Sequence, residues 1–216
     1  MVIKKLFNSR EDWLQGRKNH IGGSDAAACV GMNPYKDNVQ LWEEKMGLVL
    51  PEDISDKGYV RYGTEAEKHL RALFALDHPE YKVSYDEDNM FTNSAYPWMH
   101  ASLDGELVDE NGRHGILEIK TTNILQSSQW EKWKGDIPDN YFWQVLHYLA
   151  VTEWDFAVLR AQIKSQGNGR MNIQIRDYPI ERKDMESDIR YLIDAERNLW
   201  ECVQSGQRPN LILPVI

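Results

Sequence analysis

The segment Ser102-Leu103-Asp104-Gly105, resumed after a short turn by Ile116-Leu117-Glu118-Ile119-Lys120, carries the clearest structural signal in the chain. Its second half is apolar except at Glu118 and Lys120, which marks a covered strand rather than a free edge. Side chains alternate along a strand, so Glu118 and Lys120 share one face while Leu117 and Ile119 point into the core. Between the halves, Asp109-Glu-Asn-Gly112 is a hairpin signal that returns the chain and brings Asp104 toward the face of Glu118. Gly105, directly after Asp104, suits close approach of backbone or ligand.

Working outward, Ser9-Arg-Glu-Asp12 starts a short helix over Arg10 to Lys18. Gly22-Gly23 then breaks the chain before Ser24, read as the N-cap of the next helix, and Asn38 caps a third that ends at Gly47. A longer helix covers Tyr59 to Leu76, with Ala66, Leu70, Leu73 and Phe74 at helical spacing. Strands are expected over Tyr81–Asp86, Asn89–Ser94, Trp98–Val108 and Gly115–Thr121. Pro138 fits the first position of a helix through Tyr141, Val145, Leu146 and Leu149. Two further strands, Asp155–Lys164 and Met171–Pro179, flank the loop Ser165-Gln-Gly-Asn-Gly-Arg170, and a long amphipathic helix covers Lys183 to Val203. The pattern describes one α/β domain over residues 1–216 with a helical N-terminal portion.

Composition narrows the class. With 216 residues, 42% hydrophobic and 27% charged, the chain is an ordinary globular polymer, not a disordered or fibrous one. No apolar run approaches the roughly 18 residues of a membrane helix. No secretory signal is read at Met1-Val-Ile-Lys-Lys, and the two cysteines, Cys29 and Cys202, lack metal-ligand spacing; a cytoplasmic protein is expected. The net charge of -9 argues against a protein that merely coats nucleic acid. It suits one that gathers acids where cations are held. The aromatic set, with 8 Trp and 10 Tyr, reads first as core packing and second as base stacking.

Asp104 and Glu118 together form a hard oxygen site suited to Mg²⁺, with Lys120 placed to hold an attacking water or offset charge at phosphorus. That set matches metal-assisted phosphodiester hydrolysis. Alone, Glu-x-Lys also describes a solvated surface pair. Gly63-Thr-Glu-Ala-Glu67 upstream and Gln144-Val-Leu-His-Tyr148 downstream add polar groups in helices. The six His show no ligand spacing, and His100 and His114 beside the site are too few for zinc.

In order, Gly-x-x-x-Glu, Asp, Glu-x-Lys and Gln-x-x-x-Tyr resemble the PD-(D/E)xK nucleases. More specifically, Ile21-Gly-Gly-Ser-Asp-Ala-Ala27, Val30-Gly-Met-Asn-Pro-Tyr35 and Leu41-Trp-Glu-Glu-Lys45 resemble the N-terminal signature of the YqaJ-type viral recombinases, the group that includes phage lambda exonuclease. The resemblance spans Arg17 to Thr152. It implies a restriction-endonuclease-like core, a central mixed β-sheet flanked by helices. It implies Asp104, Glu118 and the Ile119 carbonyl as metal ligands and Lys120 as the catalytic lysine. Glu67 would help hold the metal or a bound water, with Glu65 as its rival if the register slips. Gln144 would contact the substrate or the water, with Tyr148 one turn later; Tyr148 also reads as the border of an amphipathic helix. Arg17 and Ser24 resemble the residues that bind a terminal 5′-phosphate, and Ser102 adds a further phosphate contact.

The implied activity is a Mg²⁺-dependent deoxyribonuclease (Mn²⁺ substituting, one or two ions) of the alkaline-exonuclease type. It would degrade one strand of linear double-stranded DNA 5′→3′ and leave 3′ tails for phage-type recombination by single-strand annealing. The implied partners are DNA ends, a single-strand annealing protein and two further copies in a homotrimer ring, in the cytoplasm of a bacterial host. Arg10, Lys18, Lys132, Lys134 or Arg170 would then face the DNA. An endonuclease or junction resolvase with the same metal site, or a non-catalytic DNA-binding module, are the alternatives, and sugar preference is not legible in the sequence.

Overall fold

The computed structural model describes residues 1–167 and 170–213. From the N-terminus run β1 (Val2–Leu6), α1 (Arg10–Lys18), β2 (Ile21–Gly22), α2 (Gly23–Cys29), α3 (Asn38–Lys45) and α4 (Gly58–Asp77). The middle supplies β3 (Lys82–Ser84), β4 (Asn89–Asn93), β5 (Tyr96–Ala101), β6 (Gly105–Val108), β7 (His114–Ile124) and the short α5 (Ser127–Glu131). The chain continues through α6 (Asp139–Thr152), β8 (Phe156–Gly167), β9 (Arg170–Glu181) and α7 (Glu186–Ser205).

Two sheets form. One has the order β1-β4-β5-β2; the other is β3-β6-β7-β8-β9, mixed because β7 and β8 run parallel while its other pairs are antiparallel. The connection between the parallel strands is α6, as a parallel pair demands a crossover. Every residue of α6 from Trp143 to Thr152 is buried, so it is a core helix rather than a surface one. It packs on β4 and β5 of one sheet and on β7 and β8 of the other, with α2 and α7 beside it. Ile116 of β7 joins this core, whereas Leu117 and Ile119 turn to the opposite face against Leu70 and Phe74 of α4. The expected alternation is therefore present, with a helix on each face of the strand.

The sheet has one discontinuity. β6 pairs with β7 only from Val108↔His114 to Gly105↔Leu117, whereas β7 stays paired with β8 as far as Ile124↔Ser165. From Glu118 onward, the β6 side of β7 carries no strand among the described residues. The strand expected over Trp98–Val108 is in fact two: β5 belongs to the first sheet and β6 to the second, and Ser102–Asp104 is the crossing between them.

Other expectations shift locally. Gly22, not Ser24, is the N-cap of α2, and the Asp25 carboxylate accepts from the Gly22 N–H at 3.1 Å; Ser24 lies in the first turn. Asp37 rather than Asn38 caps α3, accepting from Gln40 N–H at 2.8 Å, and Pro138 stands one position before α6. The strand expected over Tyr81–Asp86 pairs only at Lys82–Ser84. β8 and β9 pair out to Gly167↔Arg170, so most of the expected loop is strand, while its Asn168-Gly169 lies outside the described residues. β1, β2 and α5 form where the sequence pattern carries no strand or helix signal.

Candidate active site

The break in β6–β7 pairing builds the site. The Ile119 N–H, which a longer β6 would have used in the ladder, is instead taken by Asp104 Oδ2 at 2.8 Å. The carboxylate thus stands in for a missing strand residue and is carried to the edge of β7. Two side chains fix the crossing. Asn89, buried, brackets Leu103 by accepting from its N–H at 2.9 Å and donating to its carbonyl at 3.0 Å. Arg71 of α4 donates to the Asp104 carbonyl and, at 3.0 Å, to Glu67 Oε1, with its guanidinium 3.6 Å from the centroid of Tyr85.

Glu118 lies at the bottom of the gap, only 1% exposed. Its Oε1 is 2.7 Å from Lys120 Nζ and accepts from Gln144 Nε2 at 2.8 Å. The same Gln144 amide donates to the Tyr148 hydroxyl at 2.8 Å. Both N–H bonds of Gln144 therefore hold the site together, rather than lying free for a substrate. Glu118 Oε2 and Ser102 Oγ are buried without any hydrogen-bond partner. Buried polar atoms are rarely orphaned, so each is open to a water, a ligand or an ion.

The cleft, about 640 Å³, is lined by Asp104, Glu118, Lys120, Glu67, Gln144, Tyr148, Ser102 and Arg17. Of the expected site residues with side-chain roles, only Ser24 is missing from it; that residue is exposed. Glu65 points to solvent, its side chain 77% exposed beside Lys68, so the helical register favours Glu67. Arg17 rests 4.2 Å from the centroid of Trp13, whose other neighbour, Arg10, lies at 4.1 Å. Trp13 is itself anchored by donating to the Asn89 carbonyl at 2.9 Å. Arg10, one of the basic residues expected to face DNA, lines the same cleft; Trp13, Arg71 and Asn89 are contributors without a motif signal, although the Trp13–Arg17 and Glu67–Arg71 spacings of four along helices were available.

The electrostatics are those of crowded acids. Burial, and then the neighbouring Glu118, push the Asp104 carboxyl up to about 7. Burial also raises Glu118, against the pull of Lys120, and burial followed by Asp104 raises Glu67. Burial alone would lower Lys120, but Glu118 and Asp104 reverse this and hold it above the usual lysine range as a fixed ammonium. Burial lifts the Tyr148 phenol, keeping it neutral. Arg17 is lowered by burial, with no carboxylate paired to it among the described residues.

Hard oxygen donors with one orphaned carboxylate oxygen fit a small divalent cation. Asp104, Glu118 and the Ile119 carbonyl would hold it. Among the described residues no group of three or more His, Cys, Asp or Glu is gathered as a ready-made cage, so the remaining positions would fall to water and substrate. Gly23 shows how tightly the wall is built: a Cβ there would lie 2.4 Å from the Tyr148 ring, and one at Gly22 would lie 2.8 Å from His100. The Gly22-Gly23 pair is a close-packing requirement as well as a break.

The mixed sheet that opens beside the Asp/Glu/Lys cluster shares its fold with a solved alkaline exonuclease. The alkaline exonuclease LHK-Exo from Laribacter hongkongensis superposes with a TM-score of 0.66 at 20% identity, over 92% of this chain and 96% of that one; its complex with dAMP gives 0.64. A phage-related exonuclease from Haemophilus somnus 129PT gives 0.55 at 12% identity, over 87% and 96%. The chain belongs to the YqaJ-like viral recombinase family, whose domain profile matches residues 12–155. It is 32% identical over 227 residues to the uncharacterized protein YqaJ of Bacillus subtilis (strain 168), covering 98% of this chain and 62% of that longer protein.

Proposed function

We propose that the protein is a Mg²⁺-dependent deoxyribonuclease that degrades one strand of linear duplex DNA 5′→3′ and leaves 3′ single-stranded tails for recombination. The observation that carries this reading is the pairing of Asp104 and Glu118 at an open strand edge, with Glu118 Oε2 buried and unpartnered beside a lysine. A bound Mg²⁺, or Mn²⁺ in its place, would polarise the scissile phosphate and acidify an attacking water.

The chain's own residues do the rest. Lys120, held protonated, offsets negative charge that grows on the phosphate during attack. Gln144 locks Glu118 Oε1, leaving Oε2 buried and without a protein partner. Glu67 supplies a further acid at the rim, oriented by Arg71. Arg17, stacked on Trp13 and in no ion pair among the described residues, anchors a terminal 5′-phosphate, and Ser102 Oγ offers a second contact. By likeness to the family we further infer a homotrimer ring around DNA, a single-strand annealing partner, and action in the cytoplasm of a bacterial host. Among the described residues no helix is long and apolar enough to cross a membrane.

The test is digestion of end-labelled linear duplex against closed-circular duplex of the same sequence with Mg²⁺. Loss of the linear form alone, from its 5′ ends, is the expected result. Cutting of the circle would show an endonuclease, and no cutting of either would reduce the protein to a DNA-binding module.

A further inference from the structure

The open edge of β7 does not stop at Lys120. It continues into a second depression of about 240 Å³, bounded by Tyr59 and Tyr62 of α4, Thr121, Thr122 and Asn123 of β7, and Lys164 of β8. In a chain of net charge -9, this wall contains a lysine and no carboxylate. Lys164 has no carboxylate partner among the described residues; its ammonium lies 3.0 Å from the centroid of the Tyr62 ring. Tyr62 is fixed in turn, its hydroxyl donating to Gln162 Oε1 at 2.7 Å. Tyr59 is 58% exposed. Since the Ile119 N–H points away from β8 toward Asp104, strand alternation turns the N–H groups of Thr121 and Asn123 to the same open edge. The depression therefore offers an exposed aromatic ring, a cation and a row of hydrogen-bonding groups.

Position gives these groups a use. The strand that carries Glu118 and Lys120 and the helix that carries Glu67 both lead into this depression. Lys120 to Asn123 spans about 10 Å at roughly 3.3 Å per strand residue. At about 3.4 Å per nucleotide along one strand, that is some three nucleotides of stacked DNA.

We propose that this depression is a nucleotide subsite that holds the DNA strand a few nucleotides from the cleaved phosphate. A base stacks on Tyr59, a phosphate meets Lys164, and base or sugar edges meet Thr121, Thr122 and Asn123. The proposal rests on the nuclease reading above and extends it, assigning to exposed and half-buried residues the grip that keeps a strand aligned between cuts.

The experiment compares wild type, Tyr59→Ala and Lys164→Gln by fluorescence anisotropy with Ca²⁺ present. The probe is a labelled DNA strand of about 12 nucleotides, within the site sizes of single-strand binders, in one arm alone and in the other annealed as a blunt duplex. Tyr59→Ala should weaken binding about five-fold or more, the loss expected for one stacked base. Lys164→Gln should weaken it and flatten the dependence of log affinity on log salt by about 0.7 for single-stranded DNA. Losses confined to the single strand identify a separated strand as the occupant; equal losses in both arms identify a strand still within the duplex. If both variants bind like wild type in both arms while wild type digests linear DNA, the subsite is refuted and the nuclease stands. If wild type neither binds nor digests DNA, both readings fall together.

Discussion

Asp104→Asn should separate the cost of the acid cluster from its purpose. In the folded chain the Asp104 carboxyl is pushed up to about 7 from 3.8, first by burial and then by Glu118. An acid with a raised folded pKa holds its proton longer in the folded state. Its penalty is therefore absent below the unfolded pKa, grows as pH rises through this window, and is complete above the folded pKa. At about 1.4 kcal/mol per pH unit the ceiling is about 4 kcal/mol. Water reaching a half-buried side chain reduces that to about 1–2 kcal/mol. Asparagine keeps an oxygen to accept from the Ile119 N–H, so the replacement removes charge without orphaning a donor. For a chain of this length each kcal/mol moves Tm by about 2–4 °C. Without divalent cations at pH 8, the variant should thus melt about 2–8 °C above wild type, a gain that shrinks toward pH 4. Added Mg²⁺ should raise the wild-type Tm and leave the variant nearly unmoved, because a ligand stabilises only what binds it. Nuclease activity should be lost. Differential scanning fluorimetry across pH, with EDTA and then Mg²⁺, measures all of this. A variant less stable than wild type in EDTA at pH 8 would refute the charge-crowding argument.

Three other outcomes follow from the same geometry. Lys120→Ala should abolish cleavage yet leave the circular-dichroism spectrum unchanged, and cleavage within a few-fold of wild type would remove the lysine from the reaction. Arg71→Gln should weaken Mn²⁺ binding about 10- to 100-fold, as losses of ligand-orienting partners do, with little change in the cation-free Tm; Mn²⁺ titration by electron paramagnetic resonance reads it, and an unchanged affinity would show that Asp104 and Glu67 are held by other means. Arg17→Ala should slow digestion of 5′-phosphorylated ends more than 5′-hydroxyl ends in a gel assay, equal losses contradicting a terminal-phosphate role.

Local periodicity located the acids well. Alternation alone placed Glu118 and Lys120 together and turned Leu117 and Ile119 to the opposite, apolar face, which the structure shows packed on Leu70 and Phe74 of α4. Glu67 prevailed over Glu65 because the helix buries the Leu70–Phe74 face, which Glu67 borders and Glu65 does not. What remained illegible depends on distant partners. The run from Trp98 to Val108 looks like one strand, since nothing local records that β5 pairs with β4 and β6 with β7. β1 is mostly exposed and exists because β4 offers it an edge. Ser24 looked like a cap, but Asp25 sits where its carboxylate reaches the Gly22 N–H. Asn89 gave no signal, because its role is to bracket Leu103, fourteen residues away, through tertiary contact.

The late start of β6 at Gly105 has an implication for how such a chain diverges. Were that short strand longer by two or three residues, its backbone would zip along Glu118 and Ile119, displace the Asp104 carboxylate from its N–H, and seal the seam. Every acid would survive in the sequence and the open edge would vanish. Reach along a neighbour, as much as the identity of any side chain, is what keeps this cleft accessible.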